Sequence, residues 1–154
     1  MDNKEFKELF NEMAKRYHFE KAFGGWFAES NECIIALDLQ KSNFRDSYYL
    51  NIKIYVQGLF GNSYKKSKDL VKRDVGNIFR RSPKEYEDVF DLEIESDDER
   101  RQERLENLFT EFINPFVDQA LSKVGIKKLE EQGVVFLLPA VKEQWSFINP
   151  AVKQ

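Results

Sequence analysis

Cysteine and histidine are scarce in this sequence. One of each occurs among the 154 residues, which excludes an intramolecular disulfide and every metal site that needs two ligands of either kind. Glycine-rich phosphate loops, Gly-x-Ser-x-Gly turns and His-Glu-x-x-His pairs are also missing. The sequence therefore predicts neither a metal nor a cofactor, it offers no catalytic residues, and it points away from an enzyme.

Long hydrophobic runs are missing as well. The longest extends over residues 134–141, whereas a helix needs about 20 apolar residues to span a bilayer. The first residues are polar and do not resemble a signal peptide, so we expect a cytoplasmic protein without a membrane segment. Hydrophobic residues make up 42% and charged residues 33% of the chain. This composition is typical of a globular protein, and the length predicts one domain over 1–154.

Two stretches repeat apolar residues with the helical period. The first predicts an N-terminal helix over residues 3–17, with Asp2 and Glu5 in position to form a capping box. The second predicts a long helix over residues 97–124. Pro115 lies inside this second stretch, and the sequence allows either a kinked helix or two separate helices.

Two adjacent segments alternate apolar and polar residues with the period of two that half-buried strands show. In the segment 33–41 the odd positions from 33 to 39 are apolar, and in the segment 48–57 the even positions are apolar. An antiparallel hairpin that joins the two apolar faces must pair odd with even numbers. Two registers satisfy this rule: one sets Asp38 opposite Asn51, and the other sets it opposite Lys53.

The remaining segments complete the predicted fold. Short strands are expected at 26–29 and 75–80, and alternation with acidic residues favours a further strand within 86–94. Residues 58–74 are expected to form a loop, and residues 134–138 a buried strand or helix. Together these segments predict an α+β fold. One antiparallel meander of four or five strands packs against the N-terminal helix and the long C-terminal helix.

The two hairpin strands have a reverse face that apolar packing does not explain. It carries an acid, amides, lysines and tyrosines at neighbouring positions, and cross-strand neighbours lie about 4.5–5.5 Å apart. Tyrosine and amide side chains suit recognition because they form adaptable hydrogen bonds at modest entropic cost. We place a candidate binding site on this face and the upper edge of the hairpin, formed by Asp38, Gln40, Lys41, Tyr49, Asn51 and Lys53. The alternative is that another helix covers this face.

Charge is segregated along the middle of the chain. Residues 64–84 contain eight basic and two acidic residues, and residues 85–99 contain nine acidic and no basic ones. Basic side chains near aromatic ones can bind nucleic acid. The candidate basic patch consists of Lys65, Lys66, Arg80 and Arg81. The net charge of −3 weighs against nucleic acid, and the alternatives are an acidic protein partner or a solvated loop.

Two reactive side chain types have structural interpretations. Cys33 lies on the apolar face of its strand, where burial raises a thiol pKa and makes the group inert. His18 follows the first helix, where it can neutralise the negative charge of the helix carboxyl end. Nothing in the sequence places these two side chains together, so a Cys–His nucleophile is not expected.

Motifs in the hairpin carry a family resemblance. They are the runs Leu37-Asp38-Leu39-Gln40-Lys41-Ser42-Asn43 and Asp46-Ser47-Tyr48-Tyr49-Leu50-Asn51-Ile52. Both resemble the bacterial domain-of-unknown-function 4304 family, as does the preceding order of amphipathic helix, aromatic link and strand. The resemblance implies no catalytic residues. Some members of that family look like partners in toxin–immunity gene neighbourhoods.

Three functions fit these observations. The leading hypothesis is a non-enzymatic protein-binding module, of the immunity or antidote type that the resemblance implies. One alternative is a nucleic-acid-associated protein that uses residues 64–84. The other is a small enzyme with a site on the central hairpin. The identity of the partner and the oligomeric state stay open.

Overall fold

The fold is organised around one antiparallel sheet whose strands follow one another in chain order. In the computed structural model, which describes residues 1–148, the five strands pair as β1-β2-β3-β4-β5. They are β1 (Glu20–Ala22), β2 (Gly25–Glu29), β3 (Cys33–Lys41), β4 (Tyr48–Val56) and β5 (Ile78–Arg81). The predicted meander is confirmed. Only β1 was not predicted, because three residues are too few to show a period.

Helices cover the inner face of this sheet and part of its outer face. They are α1 (Asn3–Arg16), α2 (Lys68–Lys72), α3 (Glu87–Phe90), α4 (Asp98–Leu108), α5 (Asn114–Ala120), α6 (Lys123–Glu131) and α7 (Pro139–Ile148). The predicted capping box of α1 is confirmed, since the Asp2 carboxylate accepts from the Glu5 amide at 2.8 Å and the Glu5 carboxylate from the Asp2 amide at 3.2 Å. No helix within the described range is long and apolar enough to cross a membrane.

The central hairpin adopts the first of the two registers that the sequence allowed. Leu37 pairs with Ile52, and Asp38 pairs with Asn51 rather than with Lys53. The apolar side chains on the inner face of both strands join the main core. That core also contains the inward faces of α1 and of the α4–α5 helix, so the predicted packing of sheet on helices is confirmed.

The long helix passes through Pro115 without a break. Backbone dihedrals stay helical before the proline, with φ −62° at Ile113 and −63° at Asn114. The preceding residues, Phe109–Ile113, widen into a π-helical turn. In a regular α-helix the proline ring would collide with the carbonyl of Glu111, and its missing N–H would leave that carbonyl without a donor. The wider turn relieves the crowding.

The predicted end of this helix is wrong. The helix ends at Ala120, and Ser122 then caps α6 by accepting a hydrogen bond from the Gly125 amide at 2.9 Å. Gly125 therefore lies inside α6 and does not mark the end of the long helix. A Cβ at this position would lie 1.9 Å from the Gln119 carbonyl oxygen. The glycine is needed because the two helices approach closely here.

Three other segments differ from the predictions. The strand expected within 86–94 is wrong: this region contains α3, because Tyr86, Val89 and Phe90 are buried at helical spacing. The loop expected at 58–74 contains the short helix α2. Residues 134–138 form neither a strand nor a helix.

The register of the hairpin predicts which substitutions break the core. Leu37→Ala and Ile52→Ala should each lower the free energy of unfolding by about 2–5 kcal/mol, because both side chains are fully enclosed. Phe44→Ala is the control, since Phe44 is 95% exposed, and it should change stability by less than about 0.5 kcal/mol. Urea denaturation measures all three. A loss under about 1 kcal/mol at Leu37 or Ile52 would show that these side chains do not point into the core.

Candidate functional site

Helix α2 covers one half of the outer face of the hairpin. Leu70 and Val71 pack there against Phe27, Ile34, Ala36 and Tyr55. Close approach is possible because Gly25 on β2 has no side chain: a Cβ there would lie 2.7 Å from a Val71 methyl group. On this half of the outer face a helix does cover the strands, which is the alternative that the sequence left open.

The other half of the outer face forms a cleft of about 600 Å³ between the hairpin, the end of α2 and β5, and three of its residues, Asp38, Asn51 and Lys53, are buried. Five of the six predicted hairpin residues line it: Asp38, Gln40, Lys41, Asn51 and Lys53. The other lining residues are Leu39, Lys72, Arg73, Asp74, Val75, Phe79 and Arg81. The structure thus brings most of the predicted set together and adds residues from two more elements.

The sixth predicted residue, Tyr49, lies beside the cleft and supports Arg81. The Arg81 guanidinium carbon is 4.0 Å from the centre of the Tyr49 ring. Arg81 is the last residue of β5 and lies directly opposite Asn51. Its Nε donates to the Asn51 side chain oxygen at 3.1 Å. The Asn51 amide nitrogen in turn donates to Gln40 Oε1 at 2.9 Å. Predicted residues on two strands therefore form one connected polar network.

Asp38 is a buried carboxylate at the base of the cleft. Its oxygens lie 3.1 Å from Lys72 Nζ and 4.0 Å from Lys53 Nζ, and Asn51 Nδ2 donates to it at 3.4 Å. A buried charge is tolerated only when it is paired and hydrogen-bonded. Lys53 also donates to the Val71 carbonyl oxygen at 2.6 Å. These ion pairs and hydrogen bonds connect the end of α2 to β3 and β4, beside its apolar contact with the sheet.

The environment of Lys53 disfavours its charged form. Burial lowers the pKa of Lys53 below its ordinary value, and the neighbouring Lys72 cation acts in the same direction, while Asp38 opposes them. Desolvation is the largest of these effects. A lysine held in this way contributes an ammonium group with little freedom to reorient.

The cleft carries positive charge on a protein that is acidic overall. Its basic lining residues are Lys41, Lys53, Lys72, Arg73 and Arg81, and its acidic ones are Asp38 and Asp74. Five positive and two negative lining groups give a net charge of +3, and the carboxylates of Asp46 and Asp69, which pair with Lys41 and Arg73 from outside the lining, reduce it to +1. The whole chain carries −3. A concave surface of this sign attracts anionic groups.

The predicted basic patch is not one surface. Lys66 forms ion pairs with Glu20 at 2.9 Å and Glu29 at 3.3 Å, at the β1–β2 side of the sheet. Arg81 lies on β5, and four strand spacings separate β1 from β5 by about 19 Å. Arg80 points to the inner face instead, 4.7 Å from the Phe112 ring centre and 2.8 Å from the Val134 carbonyl oxygen. Lys65 is exposed.

The two reactive side chain types lie away from the cleft. Cys33 is fully buried, and burial raises the pKa of its thiol to about 12, with a smaller effect from Glu32. His18 is exposed at the end of α1, and its amide donates to the Lys15 carbonyl at 3.1 Å. Within residues 1–148 no group of three or more histidine, cysteine or acidic side chains is placed to hold a metal ion.

Comparison with known proteins agrees with the motifs in the hairpin. The family described as domain of unknown function (DUF4304) matches residues 10–119. The chain belongs to the DUF4304 family. The match spans the hairpin, α2 and β5, so every residue that lines the cleft lies inside the DUF4304 region. No curated protein and no solved structure matches the chain.

The lowered pKa of Lys53 predicts an alkaline dependence of stability. Between the folded-state pKa and the ordinary value of 10.5, the unfolded chain binds this proton more tightly than the folded chain. The contribution of Lys53 to stability therefore rises with pH in that window. We expect the free energy of unfolding of the wild type, minus that of Lys53→Met, to increase as the pH is raised from 7, as measured by urea denaturation. A constant or falling difference would contradict this environment.

Cys33 should be inert in the folded protein. Its raised pKa leaves almost no thiolate at pH 8, and its burial denies access to reagents. Iodoacetamide should leave the native chain unmodified over hours and label it completely in urea, as measured by intact mass. Rapid labelling of the native chain would show that this strand is not enclosed.

Proposed function

We propose that this DUF4304 chain is a non-enzymatic, cytoplasmic protein-binding module that holds its partner in the cleft on the outer face of the central hairpin. One observation carries the proposal: a cleft with a volume of about 600 Å³ and a net positive charge lies on an acidic protein. Complementary charge favours an acidic partner. An effector with an acidic surface, held by an immunity-type protein, fits this description.

The polar groups of the cleft support binding rather than catalysis. Asp38 is already paired with Lys72 and hydrogen-bonded to Asn51, and Lys53 donates to a backbone carbonyl. A general acid or base must be able to exchange a proton with a substrate within hydrogen-bond reach. Groups that hold one another in this way instead provide a rigid, preorganised surface, which reduces the entropic cost of binding.

The size of the cleft suits a projecting segment of a partner. Pockets of about 300–1,000 Å³ enclose small ligands or single side chains, while a stable protein interface buries about 800 Å² on each partner. Tyr49 and Phe44 are exposed on the same hairpin, 42% and 95% respectively, and aromatic residues are enriched in interfaces. We infer that the cleft receives the segment and that the hairpin contributes to the surrounding contact.

The charge distribution supports an acidic protein over nucleic acid. Of the predicted basic patch, Lys66 lies at the β1–β2 side of the sheet, Arg80 on the inner face and Arg81 on β5 beside the cleft. Nucleic-acid backbones are bound by rows of cations that neutralise successive phosphates.

Site-specific crosslinking tests the location of the interface. A photoreactive amino acid at position 49 should capture one protein in the native cell, whereas the same group at position 136 should not capture it. Position 136 is the control because Phe136 is 71% exposed and lies in a segment on the inner-face side. Capture of the same protein from position 136 alone would contradict the proposal.

Binding of the captured, purified protein then tests the role of charge. The double variant Lys41→Glu and Arg73→Glu should weaken the affinity more than tenfold, because both cations line the cleft. The matched control, Lys15→Glu and Lys128→Glu, changes the net charge equally on α1 and α6. It should leave the affinity within about threefold. Equal losses in both variants, measured by calorimetry, would overturn the proposed site.

A further inference from the structure

Arg81 is an exposed cation in the cleft that three contacts hold in place. Its Nε donates to Asn51 Oδ1 at 3.1 Å, its Nη2 approaches Gln40 Oε1 at 3.4 Å, and its guanidinium stacks on Tyr49 at 4.0 Å. Asn51 is itself oriented by Gln40. Two amides and a ring therefore hold the group, and none of them carries a negative charge.

The charge of Arg81 is not neutralised inside the described part of the chain. Other cations that line the cleft have carboxylate partners: Lys72 and Lys53 pair with Asp38, Lys41 with Asp46, and Arg73 with Asp69. Among residues 1–148 no carboxylate forms an ion pair with Arg81. The protein orients this guanidinium with neutral acceptors and leaves its charge available to a ligand.

The hydrogen bonds of Arg81 leave one edge of the guanidinium for a ligand. A guanidinium has five N–H donors in a fixed fork. Asn51 and Gln40 occupy the edge formed by Nε and Nη2. The end formed by Nη1 and Nη2 keeps one N–H on each nitrogen, which is the geometry that binds both oxygens of a carboxylate.

We propose that Arg81 is a carboxylate-binding anchor, and that its ligand is an aspartate or glutamate on an acidic segment of the protein partner. This inference rests on the proposed function and specifies its ligand chemistry. Phe79 and Val75 line the same cleft and are 41% and 62% exposed. The segment that fits therefore carries an apolar residue near its acid. A nucleic-acid backbone fits less well, because it needs a row of cations, and Lys66 and Arg80 of the predicted basic patch lie away from the cleft.

The guanidinium itself provides the direct measurement. In a ¹⁵N NMR spectrum, Nε–H of Arg81 gives a separate signal, which Arg81→Lys assigns by removing it. The probe is a capped hexapeptide with two glutamates and two leucines, and the matched control replaces both glutamates by glutamine. The glutamate peptide should shift this signal with saturation, and the glutamine peptide should not.

Arg81→Lys also tests the fork, because lysine keeps the charge but cannot bind a carboxylate through two parallel N–H groups. The variant should bind the glutamate peptide at least tenfold more weakly, with its backbone amide spectrum otherwise preserved. If the variant does not fold, Gln40→Ala serves instead: it removes an acceptor that orients both Arg81 and Asn51, and it should weaken binding of the glutamate peptide by about threefold or more. Unchanged affinity in a folded Gln40→Ala protein would overturn the preorganised fork.

Three outcomes overturn the anchor. One is an equal shift of the Arg81 signal with both peptides or with sodium chloride alone. The second is a shift with a decathymidine oligonucleotide but none with the glutamate peptide, which would assign the cleft to nucleic acid. The third is a captured partner that binds Arg81→Lys as tightly as wild type. In that case the anchor fails while the proposed protein-binding function stands.

Discussion

The register of β3 against β4 is the constraint on which the rest of the structure depends. With Leu37 opposite Ile52, the inner apolar residues of both strands close against α1 and the α4–α5 helix. The same alignment sets Asp38 opposite Asn51 and Gln40 opposite Tyr49 on the other face. A slip of two residues would preserve the apolar facing but separate these polar pairs. One alignment therefore fixes both the core and the arrangement of the cleft.

The charged cluster around Asp38 lies where α2 ends, half-way across the outer face. On one side Leu70 and Val71 bury apolar surface against the sheet, and on the other Lys72 and Lys53 meet the buried carboxylate. A buried charge cluster costs desolvation and adds little net stability, but it can fix one arrangement of neighbouring elements. We regard the cluster as the device that sets the position of α2 and thereby the wall of the cleft.

Local patterns in the sequence predict the elements well, and contacts between distant elements are what they miss. The period of two predicts both hairpin strands, the Asp2–Glu5 spacing predicts the helix cap, and four cleft residues, Asp38, Gln40, Asn51 and Lys53, follow from alternation alone. No local pattern shows that Lys72 and Arg81 reach the same face from beyond the hairpin. Arg80 and Arg81 are neighbours in the chain, yet strand alternation sends them to opposite faces. Tyr86, Val89 and Phe90 are buried and lie three and four residues apart, a spacing that indicates a helix. The acidic residues that alternate with the apolar ones in 90–94 favour a strand instead, and this second pattern is misleading.

The central claim is that the outer face of the hairpin, and not the helical side of the protein, is the recognition surface. Amide hydrogen exchange of the chain, alone and with its captured partner, tests this claim most directly. The account predicts added protection in the complex over residues 38–41, 49–53 and 72–81, with α1 and α4–α7 unchanged. Added protection confined to α1, α6 or α7, with no change in the three predicted stretches, would contradict it.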